Sequence, residues 1–155
     1  MTQLLKRQNM LKLSIMNDEN IKRKVQVVVF AEEEVLMMEF NPTLPHNYVG
    51  FQNITGSVDP GEDFLTAAKR ELLEESGINS NVVELDLTYE FTDRWEKQCF
   101  EKIYFCQLST KPQITLCSEH LNYKWMNINQ VKARDYRFLS NYEAFEAAKK
   151  YISTK

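Results

Sequence analysis

The chain has 155 residues, 43% hydrophobic and 26% charged, which suits one folded domain with a substantial core and excludes a disordered polymer. Its formal net charge of −3 excludes a global attraction to nucleic acid or to an anionic membrane. No apolar run is long enough to span a bilayer and no small-residue cleavage pattern follows the N-terminus, so a cytoplasmic protein is expected.

Residues 1–20 read as an N-terminal extension to a domain covering 21–155. Leu4, Leu5, Leu11, Leu13 and Ile15 need a surface to cover, which favours a homodimer. Lys6, Arg7, Lys12 and Lys22-Arg23-Lys24 make this end locally basic, either as a solvated face or as a patch that steers phosphate. Residues 25–30 and 35–40 are β-branched and apolar runs, two strands joined across Glu32-Glu33-Glu34. Pro42 and Pro45 mark 41–47 as a loop, and 51–55 is a short strand.

Residues 56–78, GSVDPGEDFLTAAKRELLEESGI, carry the chemistry. Pro60-Gly61 is a turn signal, and Gly77 is placed to end a helix running from 62 to 76. Phe64, Leu65, Ala68, Leu72 and Leu73 recur at the helical period. Glu71, Glu74 and Glu75 then project from one face at i, i+3 and i+4, where like charges repel. A hard cation such as Mg2+ reverses that penalty, because it takes carboxylate oxygens and completes its shell with water and substrate phosphates. Arg70, roughly two turns from Glu62, is suited to pair with a carboxylate and hold its rotamer. The alternative is an idle acidic helix face. At roughly 6–7% usage per residue type, seven fixed residue types at these offsets arise by chance on the order of a few times in a billion starting positions.

Further along, 82–92 and 99–108 read as strands joined by the polar stretch 93–98. Trp95 in that stretch is a loop residue over a substrate, a core residue or a dimer contact. Leu121, Tyr123 and Trp125 alternate with polar residues, a half-buried strand with its aromatic face inward. Ser140 to Glu143 fits a capping box, with Ser140 as N-cap of a final helix that turns Phe145, Ala148 and Ile152 inward. Cys99, Cys106 and Cys117 lack metal-type spacing and are expected as buried free thiols. Mixed strands with two substantial helices predict an α/β/α sandwich. Glu119, just before a strand, is either an exposed and idle loop residue or a carboxylate that the loop brings to the metal site from outside the helix.

The pattern G-x5-E-x7-R-E-(apolar)-x-E-E-x-G-(apolar) resembles the signature of the Nudix hydrolases, the MutT-like enzymes, with every required position filled. The resemblance implies a mixed β-sheet sandwiched between helices, and Mg2+ (or Mn2+) held by Glu71, Glu74, Glu75 and the Gly56 carbonyl. It also implies hydrolysis of a pyrophosphate bond in a nucleotide-type substrate, with Glu74 and Arg70 in the catalytic group. The segment Glu119-His120-x-x-Tyr123-Lys124-Trp125 resembles the branch that cleaves dihydroneopterin triphosphate and dNTPs. There the glutamate is a further metal ligand or the base, and His120 is a structural hydrogen-bonding residue. Residues 54–58 fit the same branch, with Thr55 and Ser57 toward the substrate. That branch carries arginines where this chain has Glu39-Phe40, so the substrate is open among NTPs or dNTPs, dihydroneopterin triphosphate, the triphosphorylated 5′ end of RNA, and nucleotide sugars or ADP-ribose. An inactive binding module would have lost one of the three helix glutamates, and all are present.

Overall fold

The computed structural model describes residues 20–155 together with Gln3, Leu4, Lys6, Arg7 and Met10. The rest of the N-terminal extension, including the apolar Leu5, Leu11, Leu13 and Ile15, lies outside the described residues.

Seven strands form one mixed sheet: β1 (Lys22–Ala31), β2 (Glu34–Phe40), β3 (Phe51–Gln52), β4 (Ile54–Ser57), β5 (Val83–Thr92), β6 (Gln98–Leu108) and β7 (His120–Asn127). The order is β3-β2-β1-β6-β5, with β4 also paired to β1 and β7 to β2. β1 and β6 run parallel; the other pairs are antiparallel. Two helices, α1 (Phe64–Ser76) and α2 (Leu139–Ser153), cover opposite faces. The α/β/α expectation therefore holds.

Alternation along β1 divides the core. Val25, Val27 and Val29 pack under α1 with Ala67, Ala68 and Leu72, whereas Val28 and Phe30 pack under α2 with Ala144, Phe145 and Ala148. A strand covered on both sides reads as a continuous apolar run, which is why β1 is so plain in the sequence. Its hairpin to β2 turns on Glu32 and Glu33 alone, both left-handed at φ 51° and 63°, and Glu34 already belongs to β2.

Five expectations need correction. Helix α1 begins at Phe64, because Asp63 Oδ1 accepts the Thr66 amide at 2.7 Å and acts as N-cap, while the Glu62 amide closes the preceding turn onto Asp59 O at 3.0 Å. Its buried stripe is Phe64, Ala67, Ala68, Leu72, Glu75 and Ser76; Leu65 and Leu73 flank that stripe and are about half exposed. Ser140 lies inside α2 after an uncapped Phe138, because Glu143 is engaged elsewhere, accepting from the Tyr89 hydroxyl at 2.9 Å. In β7, Tyr123 and Trp125 do pack on the core, but Leu121 is exposed where the β2–β7 register shifts at Glu39/Phe40. Of the three thiols, Cys99 and Cys106 are buried and Cys117 is only partly covered. Among the described residues no helix is long and apolar enough to cross a membrane.

Candidate active site

Gly77, at φ 79°, ends α1 in the left-handed conformation and returns its amide to Leu73 O at 2.8 Å, so the glutamate-bearing turns stay helical to their end. The helix lies so close over β4 that a Cβ on Gly56 would sit 2.0 Å from the Glu71 carboxyl carbon. Any side chain there would displace the Glu71 carboxylate, and the glycine backbone stands open beneath it.

Arg70 organises the carboxylates. Its guanidinium donates to Glu62 Oε2 at 2.8 Å and Oε1 at 2.9 Å, to Glu71 Oε1 at 2.9 Å, to Glu74 Oε2 at 3.1 Å and to Ser57 O at 2.8 Å. The forked pair to Glu62 holds that carboxyl at about 2, well below the usual range. Arg70 therefore ties the β4–α1 loop to the helix, and it stands behind the cleft rather than in its lining.

Glu75 is 3% exposed, and the Thr55 amide donates to its Oε2 at 3.2 Å. Burial, then the charges of Glu71 and Glu119, push its carboxyl well above the usual range. Burial also raises Glu71, against the pull of Arg70. Two desolvated carboxylates repelling a third are a poor arrangement for the protein alone and a suitable oxygen donor set for a hard divalent cation. Among the described residues no three His, Cys, Asp or Glu side chains converge closely enough to hold an ion as they stand. Arg70 draws Glu71 and Glu74 onto itself instead.

Glu119 is exposed on the loop before β7, anchored by its carbonyl, which accepts from Asn41 N at 3.3 Å. The structure brings Gly56, Thr55, Ser57, Glu71, Glu74, Glu75 and Glu119 into the wall of one cleft of about 1210 Å³. His120 is buried beside Gln52 Nε2 at 3.1 Å, and burial lowers it to about 4, which keeps it neutral and structural. Thr55 Oγ1 donates to Gln52 Oε1 at 3.3 Å, so Gln52 joins the substrate wall to His120.

Sequence reasoning missed the floor of the cleft. Strand register sets Tyr89, Glu101, Lys24 and Ser57 in a row across β5, β6, β1 and β4, and all four line the cleft. The signal for Glu101 was its place in a strand of apolar residues, in phase with Ile103 and Phe105 on the inward face. Trp95, 68% exposed at the β5–β6 hairpin tip, lines the mouth, with Arg94 and Lys22 at 5.0 and 5.7 Å from its ring. It is not a core residue. Arg94 Nη2 donates to Pro45 O at 3.0 Å, joining the hairpin tip to the loop after β2.

The comparisons agree with this fold. The family model described as NUDIX domain matches residues 21–147. Escherichia coli dihydroneopterin triphosphate pyrophosphohydrolase is 28% identical with a TM-score of 0.69, over 81% of this chain and 94% of that one. A Caenorhabditis elegans Ap4A hydrolase is 20% identical with a TM-score of 0.72, over 87% and 100%. The NUDIX domain of Shewanella oneidensis NrtR, solved with ADP ribose, is 15% identical with a TM-score of 0.70, over 98% and 99%. No curated protein matches. A motif filled at every position, a sheet between two helices and a family match over most of its length make this chain a member of the NUDIX family, a hydrolase acting on phosphoanhydride bonds.

Proposed function

We propose that the chain is a Mg2+-dependent pyrophosphohydrolase that cuts a nucleoside-type triphosphate, an NTP or dNTP or dihydroneopterin triphosphate, to the monophosphate and pyrophosphate. The observation that carries this reading is the lining of one cleft, which gathers the helix carboxylates Glu71, Glu74 and Glu75 together with Lys22, Lys24 and aromatic side chains. The 28% identity to a dihydroneopterin triphosphate pyrophosphohydrolase supports the same substrate class.

Glu71, Glu74, Glu75, Glu119 and the Gly56 carbonyl would hold Mg2+, with Mn2+ as a substitute. When bound, the ion supplies neutralisation of phosphate charge and a lowered pKa for the attacking water. Thr55, Ser57 and Lys24 hold the polyphosphate in line with that water. The water oxygen bonds to the α-phosphorus, the anhydride bond to the β-phosphate breaks, and pyrophosphate leaves. Glu119, exposed and free of Arg70, takes the proton from water. Arg70 positions Glu71 and Glu74 and touches no reacting atom.

The exposed Trp95 with its two cations favours a second reading, removal of pyrophosphate from a triphosphorylated RNA 5′ end, since an exposed ring stacks well on a terminal base. Pyrophosphate release measured across dNTPs, dihydroneopterin triphosphate, ADP-ribose and 5′-triphosphorylated RNA separates these. Chelation of the metal abolishes turnover, and Glu71→Gln and Glu75→Gln each lower it roughly 100-fold or more while the fold persists. Unchanged turnover in both variants removes the metal assignment.

A further inference from the structure

We infer that Glu101 determines specificity: its open carboxylate oxygen at the cleft floor accepts the adjacent N–H donors of a ring with a 2-amino-4-oxopyrimidine edge, as in guanine or a pterin. The inference rests on the triphosphate reading above and names the ring.

Glu101 is 5% exposed, yet it lines the cleft. Its Oε1 accepts from Gln26 Nε2 at 3.1 Å, and the orientation of that amide is fixed from behind. Asn53 Nδ2 donates to the Asn141 carbonyl at 3.0 Å, which can only accept, so the other end of Asn53 must be its oxygen; that oxygen takes the Tyr136 hydroxyl at 2.9 Å. Asn53 Nδ2 also donates to Gln26 Oε1 at 2.8 Å, leaving Gln26 only N–H to offer Glu101. A buried relay of four residues thus holds Glu101 as an acceptor in one rotamer. No buried polar side-chain atom among the described residues lacks a partner. Oε2, which takes no bond from a described residue, is therefore open to the cleft.

A fixed, ionised carboxylate oxygen with free lone pairs is the natural partner of adjacent N–H donors, because bonds to a charged acceptor are the strong ones. A guanine-type edge presents N1–H and the 2-amino group side by side. Adenine presents an acceptor nitrogen there, which the carboxylate repels once it is ionised, above about pH 7, and hypoxanthine lacks the amino group. Tyr89 and Phe91 from the same hairpin supply apolar wall beside that edge. Glu101 and Ser57 stand two strand spacings apart, about 10 Å, with Lys24 between them. A ring held on Glu101 therefore extends its phosphates past Lys24 toward the helix carboxylates.

The test is equilibrium titration of the full chain at pH 8, where the Glu101 carboxyl is ionised, with GMP, IMP, AMP and neopterin monophosphate, for wild type and Glu101→Gln. Wild type binds GMP or neopterin monophosphate about tenfold or more tighter than IMP and AMP, and the tighter of the two identifies the ring. In Glu101→Gln, which keeps the bond from Gln26 but sets an amide NH2 against the donors, that preference disappears. Equal binding of all four by wild type, or a Glu101→Gln loss shared equally among them, overturns the inference, because a purely structural carboxylate would produce it. Monophosphates have no anhydride bond, so the titration is independent of turnover. Selective binding without hydrolysis of any triphosphate removes the proposed function alone, and hydrolysis with unselective binding removes this inference alone.

Discussion

Burial of Glu101 has a thermodynamic signature that can be read without substrate. Desolvation raises its carboxyl to about 7, against the bond from Gln26 and the charge of Lys24 on β1, with Tyr89 facing it from β5. The folded state therefore keeps the proton over a range where the unfolded chain, near 4.5, has released it. Stability from this group is complete below about pH 4.5, falls as the pH rises toward 7, and is level above that. Replacing it with a neutral isostere removes that slope. Glu101→Gln should gain stability over wild type between pH 5 and pH 8, on the order of 3 kcal/mol at most, in urea denaturation at the two values. A gap that does not change with pH would mean that the carboxyl is ionised throughout. The residue itself was visible in the sequence only as a charge in an apolar strand. Its neighbours were not visible, because Lys24 and Ser57 meet it through pairings with β1 and β4 that depend on register.

The turn, helix and cap of residues 56–77 were legible almost to the residue, because each part is a local device: a Pro-Gly turn, an apolar period and a left-handed glycine. Local devices fail where a distant partner competes. The capping box at Ser140 fits its own four residues, but Tyr89, 54 residues away from Glu143, engages the glutamate it needs. The packing of α1 on β4 is likewise invisible in a linear pattern, yet it explains Gly56. The atom an added methyl would meet is the end of a flexible side chain, and the backbone φ at Gly56 is not left-handed. Gly56→Ala should therefore fold with little loss of melting temperature while Glu71 swings off its site. Turnover should fall roughly tenfold or more, with Arg70 keeping Glu62 and the loop in place. A variant that loses stability and activity in proportion would show that the helix itself, rather than Glu71, had been pushed away.

Across the whole molecule, net charge misleads about the site. The chain is acidic overall at −3, yet its cleft lining includes Lys22, Lys24 and Arg94. A polyanion is attracted by these local cations, which act within a Debye length of about 8–10 Å, so total charge says little about affinity. Lys24 has the central place: it is half-buried, lies between Glu101 and Ser57 in the strand row, and lowers the carboxyls of both Glu75 and Glu101. Lys24→Met keeps most of the aliphatic stem and removes the charge. Loss of a phosphate contact made in ground and transition states alike should raise KM about tenfold with kcat little changed, and should flatten the salt dependence of kcat/KM. If kcat falls instead and KM holds, Lys24 acts through the ionisation of Glu75, and the cation at the cleft centre serves the carboxylate cluster before it serves the substrate.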